Sequence, residues 1–317
     1  MWAKFEALAA GPASQQPSSG AGPQTETPLV GGVMSDVELI ASYWTLSGGA
    51  LPHTDKEYST FEFKERCAAA ARAGFKGIGL WHADLEHVLK SYSLPQMKRI
   101  LDDNGLKHIE VEFLADWFLP VGERRAASDE RREFLFKCCE GLGARHLKVG
   151  DFFKSECSMS RLIDEFGALC REAAPRGIRI GYELMPFSVI ETLEKTRQLV
   201  EGAAQKNGGV IFDMWHIVKL GIPYDAVINF PGQYFLGLEL NDGYLETPAG
   251  MDLVTETTAH RKFCGQGEFD IKGLTSRLPQ CAYRGPVGIE VLSQELRSWP
   301  LEKAVTTAFN TTRAHLP

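Results

Sequence analysis

Residues 178–184 read Ile-Arg-Ile-Gly-Tyr-Glu-Leu, with Ile178, Ile180, Tyr182 and Leu184 in one row and Arg179, Gly181 and Glu183 in the other. A period of two over seven residues is the signature of a strand with two unlike faces. Immediately before it, Leu162, Phe166, Leu169, Cys170 and Ala173 recur at helical spacing and predict a helix over 160–174. Immediately after it, residues 210–213 resume the strand pattern, with Val210 and Phe212 on one face and Asp213 on the other. Working outward, further strands are expected at 39–43, 77–81, 108–113, 146–150, 234–241 and 287–291, each followed by a helical or partly helical stretch. Ser59 and Glu62 read as a capping box for the first long helix. Strand then helix, eight times, spells a single-domain α/β fold, the (βα)8 TIM barrel, over residues 35–317. A doubly wound open sheet is the alternative.

In a barrel one face of each strand packs on the helices, and the other points inward, where charge is tolerated at the catalytic rim. That parity turns Glu183 inward on the fifth strand and Asp213 on the sixth. On the seventh, Leu236, Leu238 and Leu240 face out and Glu239 and Asn241 face in; on the eighth, Glu290 faces in. All four carboxylates lie near the C-terminal ends of their strands, the end that carries active sites in this fold. One such carboxylate is ordinarily an ion pair or a helix N-cap; four on consecutive strands point to a site. The same parity turns Trp81, Glu112 and Lys148 inward on the second, third and fourth strands. Lys148 reads equally as an electrostatic partner of the carboxylates and as a catalytic acid or substrate-oxygen ligand.

Four carboxylates sharing one site raise one another's pKa unless a cation sits among them, and a divalent metal is the economical answer. Oxygen-only ligation by Glu183, Asp213, Glu239 and Glu290 favours one Mn2+, with Mg2+, Co2+ or Zn2+ as the other candidates. Lys148, His216 and Arg261 could supply further balancing charge. His216 follows Asp213 by three residues and is placed to contact substrate. Residues 242–269 make a long βα loop, of the kind that closes over a substrate; Gly265-Gln266-Gly267 within it reads as a plain turn rather than a phosphate cradle. Trp44, Trp81, Phe118 and Trp215 suggest an aromatic rim, although core packing explains them nearly as well.

The chain has 317 residues, 34 Lys and Arg against 41 Asp and Glu, and a formal charge of −7. That balance argues against a nucleic-acid partner. No apolar stretch approaches the roughly 18–20 residues of a membrane span, so a membrane role is not expected. Residues 1–34, dense in Ala, Gly, Pro, Ser and Gln, are expected to form a disordered tail. Seven cysteines without a CxxC pair imply a reducing, cytoplasmic setting, with Cys138 and Cys139 as buried small hydrophobes.

The segments GYELMPF (181–187), FDMWH (212–216), LELND (238–242), GQGEFD (265–270) and GIEVL (288–292) resemble those of the xylose isomerase-like TIM barrels. These are the sugar phosphate isomerases and epimerases with their dehydratase, keto-glycoside-cleaving and endonuclease relatives, and the likeness runs over residues 36–315. The resemblance implies that Glu183, Asp213 and Glu290 bind one divalent metal, that Glu183 and Glu290 are the acid/base pair, and that His216 touches substrate oxygens. The departure is at Glu239: where the family reads H-x-x-D, this chain has Glu239-Leu-Asn-Asp242. The resemblance further implies a metal-dependent isomerase or epimerase acting on a keto-sugar, keto-polyol or related hydroxy-ketone through an enediolate. Glu183, Glu290, His216 and Lys148 would be its catalytic groups, and Trp81, Glu112, His216 and Arg261 its substrate contacts. A lyase of the same superfamily, a dehydratase or keto-glycoside-cleaving enzyme working by β-elimination, is the runner-up. An endonuclease, which would need a histidine-rich trinuclear zinc site, and a non-catalytic sugar-binding barrel are the other classes. The expected partner is a small carbohydrate, and a homo-oligomer fits a family whose barrels often pair.

Overall fold

The computed structural model describes residues 37–317. The expected tail, 1–34, lies outside the described residues. Eight strands follow in chain order: β1 Leu39–Ala41, β2 Gly77–Trp81, β3 His108–Leu114, β4 His146–Val149, β5 Ile180–Glu183, β6 Gly208–Asp213, β7 Phe235–Leu240 and β8 Val287–Ile289. Each pairs in parallel with the next, and β8 returns to β1, so the sheet closes. Closure decides against the open sheet. The main helices are α1 Phe63–Ala73, α2 Leu94–Asp103, α3 Glu123–Leu142, α4 Met159–Ala173, α5 Leu193–Ala203, α6 Met214–Lys219, α7 Leu253–Ala259 and α8 Leu301–Arg313. No helix of the described residues is long and apolar enough to cross a membrane.

Local chemistry sets the boundaries. Helix α4 starts where the Ser158 hydroxyl accepts the Arg161 amide, one residue before the expected start, and buries Leu162, Phe166, Leu169, Cys170 and Ala173. Helix α3 stops at Gly143, whose φ of 67° lies in the left-handed region where a side chain is strained. The first strand is shorter than the expected 39–43 because Tyr43 opens a short helix, Tyr43–Leu46. At α1 the capping box is replaced by a different arrangement: Glu62 itself is the N-cap, accepting from the Lys64 and Glu65 amides, while Ser59 accepts from Phe61.

The outward rows read from the sequence, such as Ile180 with Tyr182 and Leu238 with Leu240, enter one large core between barrel and helices. Cys138 and Cys139 on α3 belong to it, as expected. A second apolar cluster is separate: besides Ala50 it holds Tyr43, Trp44, Trp81, Phe113, Met185 and Leu292. These six come from the C-terminal ends of five strands and form a collar at the mouth of the barrel, with the half-buried Phe152 and Phe187 packed against it.

Candidate active site

The inward carboxylates meet directly below that collar. Glu183 ends β5, Asp213 ends β6, Glu239 lies in β7 and Glu290 directly follows β8. One oxygen of each falls within 4.8 Å of the others, and all four residues are buried. In-register pairing of Asp213 with Glu239 brings adjacent strands' acids level. Lys148 stands among them. Its Nζ lies 2.7 and 2.9 Å from the Glu239 oxygens, 3.0 Å from Glu112 Oε2, 3.3 Å from Glu290 Oε1 and 3.7 Å from Glu183 Oε1. Glu112 and Lys148 are themselves register partners on β3 and β4.

Arg261 enters from the loop after β7. Its Nη1 donates to Asp213 Oδ2 and Glu290 Oε2, each at 2.9 Å, and Thr257 Oγ1 accepts from its Nε and Nη2. His216 Nε2 lies 3.4 Å from Arg261 Nη2 and 3.7 Å from Glu183 Oε1. Asp213 also serves as the N-cap of α6, its Oδ1 accepting the Trp215 and His216 amides. The cap and the cluster are therefore one residue's two oxygens at work.

Burial is the largest influence on each of these groups. It lifts Glu183 and Glu239 well above the usual carboxylate range despite Lys148, with the charge of Glu290 adding to the lift. Asp213 is raised as well, against the pull of Arg261. Glu290 alone of the four is lowered, because Lys148 and Arg261 together outweigh its burial. Burial, then Arg261 and Lys148, hold His216 neutral. The donor set suits a divalent cation: Glu183 Oε1 is buried with no hydrogen-bond partner, beside three carboxylates that each offer an oxygen at ligand spacing.

Glu112 is lifted from 4.5 to about 7 by burial, against Lys148 and with Glu290 adding. Its unfolded value is the ordinary one, so between about pH 4.5 and 7 the folded protein keeps a proton that the unfolded chain releases, and stability falls as pH rises through that window. Replacing Glu112 by Gln removes this slope. Urea melts should show the variant gaining on the wild type by roughly 1–3 kcal/mol between about pH 5 and pH 8; parallel curves would contradict the assignment.

Of the twelve residues read from the sequence, ten thus gather, and two of the aromatic ones do not. Trp44 and Trp81 stand in the collar, with ring centroids 5.1 Å apart. Phe118 and Trp215 do not: both are in the main core, Trp215 donating its Nε1 to Glu256. The loop 242–269 is organised by Asp242, which accepts the amides of Gly243, Gly265, Gly267 and Phe269. A Cβ at Gly267 would come within 2.3 Å of Asp242 Oδ1, so the glycine is needed for the close approach and its amide is already used. The turn reading of Gly265-Gln266-Gly267 holds. Two contributors escaped the candidate list. Ser42, just past β1, donates to Glu239 Oε1 at 3.0 Å, and Asn241, turned inward by the β7 parity, donates to Asp213 Oδ2 at 2.8 Å.

This chain belongs to the xylose isomerase-like TIM barrel family, which it matches over residues 67–315. It is 30% identical over 239 residues to a 3-dehydroshikimate dehydratase of Pseudomonas aeruginosa, the match covering 74% of this chain and 37% of that one. It is 22% identical to an inosose isomerase of Bacillus velezensis, over 73% of this chain and 83% of that one. The chain therefore spans little more than a third of the length of the dehydratase it matches. Among solved structures, the IOLI protein with a bound zinc atom superposes with a TM-score of 0.73 at 19% identity, covering 88% of this chain and 98% of that one. A D-allulose 3-epimerase of Methylomonas superposes with a TM-score of 0.65 at 17% identity, covering 88% and 97%. The relatives are thus enzymes, a lyase and isomerases among them, and the buried acidic cluster is one that could hold a metal ion.

Proposed function

We propose that this protein is a divalent-metal-dependent enzyme that forms an enediolate from a keto-sugar, keto-polyol or related hydroxy-ketone and returns it as an isomer or epimer. The observation that carries this reading is the convergence of Glu183, Asp213, Glu239 and Glu290 within 4.8 Å at the C-terminal mouth of the barrel. When bound there, a divalent ion, Mn2+ first by the oxygen-only donor set, supplies Lewis-acid charge that acidifies the carbon-bound proton between carbonyl and hydroxyl. Glu290 is the group that accepts that proton, since Lys148 and Arg261 keep it ionised in a buried place. Glu183 faces it across the cluster as the acid, its proton held by burial. Lys148 and the neutral His216 donate to substrate oxygens, Trp81 walls the pocket, Glu112 and Arg261 line it, and Asp213 and Glu239 are ligands only. With its cysteines free, we assign the reaction to the cytoplasm.

Elimination is the second reading, favoured by one finding: the 30% match is to a dehydratase, while the inosose isomerase stands at 22%. The same proton abstraction would then expel a group β to the carbonyl. The reading is tested by elemental mass spectrometry on protein purified without chelators or a metal-affinity step. About one equivalent of manganese, cobalt or magnesium is expected. About three equivalents of zinc would favour the endonuclease class, and no metal even after incubation with Mn2+ would overturn the proposal.

A further inference from the structure

The collar above the carboxylates is short of polar atoms. Trp81 follows Leu80 into the mouth in register with Glu112, and Met185 and Leu292 each stand two residues beyond an acid, Glu183 and Glu290. An apolar storey therefore borders the carboxylate floor just beyond the strand ends. Phe187 joins the two levels, its ring 5.8 Å from that of His216 at 83°. Two of the collar's three N–H and O–H side-chain groups are turned elsewhere: Tyr43 donates its hydroxyl to the Glu57 carbonyl at 2.8 Å, and Trp81 its Nε1 to Glu57 Oε2 at 3.1 Å, which leaves the Trp44 indole N–H. A polyol rising from the floor would leave its upper hydroxyls facing carbon, at a cost.

Charge points the same way. The buried side chains of Lys and Arg among the described residues, Arg66, Lys148, Lys219 and Arg261, are each paired with carboxylates, Arg66 with Asp84 at 2.7 Å and Lys219 with Glu256 at 2.8 Å. The floor carries five acids, Glu112, Glu183, Asp213, Glu239 and Glu290, against Lys148 and Arg261. A carboxylated ring would find no uncommitted buried cation and would add one more carboxylate to a buried site already crowded with them.

We propose that the collar is a subsite for an uncharged apolar substituent, so that the preferred substrate is a neutral hydroxy-ketone bearing an aryl or similar group rather than a free polyol or a carboxylated ring. This inference rests on the enediolate reading above. It assigns the collar the work of stacking on that substituent, which favours flat rings, and gives the lyase branch a leaving group: the C–H bond breaks with its proton going to Glu290, its electron pair forms the new double bond, and the C–O bond to the substituent breaks with its pair going to the departing oxygen, which takes a proton from Glu183.

The test uses the Mn2+-loaded full chain and three probes, the p-nitrophenyl and methyl 3-keto-glucosides and 3-dehydroshikimate. Solvent deuterium incorporation at the acidic carbon, followed by NMR, reports reversible proton removal, and release of the phenol, methanol or water in the same spectra reports elimination. A KM at least tenfold lower for the aryl than for the methyl glycoside is expected, about 1.4 kcal/mol, with kcat/KM on the carboxylated ring at least a hundredfold lower. Phe152→Lys, at a half-buried position of the collar, should erase the aryl preference and raise exchange on the carboxylated ring. Equal KM values for the two glycosides, or preference for the carboxylated probe, would overturn the subsite while leaving the enediolate reading in place. Absence of both exchange and elimination from all three would overturn that reading and the subsite with it.

Discussion

Replacing Glu290 by Gln is expected to leave the barrel folded and to cut turnover by two to four orders of magnitude. Glu290 is 5% exposed, with Oε1 3.3 Å from Lys148 and Oε2 2.9 Å from Arg261. Those two cations stabilise the ionised form, so the side chain is a carboxylate ready to take a proton at neutral pH. The amide keeps the shape and one acceptor, loses the basic oxygen and sets an N–H against a cation, which costs about 1–3 kcal/mol of stability. Deuterium exchange at the substrate carbon reads the chemical step, and a urea melt reads the fold. Because the folded pKa lies below the ordinary 4.5, the wild-type rate should stay level as pH falls from neutrality until it passes that value. Full exchange in the variant would transfer the base role from Glu290 to Glu183.

Strand parity makes much of this site legible in the sequence. A side chain in the middle of a strand has two directions to choose from, and an apolar alternate row settles which. Thus Lys148 between Leu147 and Val149, and Glu239 between Leu238 and Leu240, had to point inward, and they meet at 2.7 Å. Closure of the sheet then brought β4 and β7, 91 residues apart in sequence, to one centre. Loops carry no such periodicity. Arg261 was nominated for its charge alone, and its bridge from Asp213 to Glu290 depends on Thr257 at the preceding helical turn. Phe118 and Trp215 were misplaced for the same reason: beyond the strand end, aromatic character does not tell which of two apolar clusters a ring joins. Ser42 lay past a strand of only three residues, too short for its parity to stand out.

Lys148→Met should destabilise the metal-free protein by about 3–5 kcal/mol, the loss that follows when one partner of a buried ionic set is removed. Its ammonium is 1% exposed and is the cation nearest to Glu239 and Glu112, so methionine fills the volume while leaving those acids without a countercharge. The thermal midpoint in chelator should fall by roughly 10 °C. Two conditions should restore it. Divalent manganese, bound by the four carboxylates, would replace the missing positive charge and raise the variant's midpoint by more than it raises the wild type's. Lowering the pH from about 8 to about 5 would also narrow the gap: without Lys148 the buried acids bind protons more readily folded than unfolded, and stability then rises as pH falls. Sparing Glu239 its charge by the second change Glu239→Gln should recover part of the loss, a coupling that a double-mutant cycle measures directly. A Lys148→Met protein as stable as the wild type at pH 8 without metal would mean that these acids are not ionised around Lys148, and the electrostatic account of the floor would fail with it.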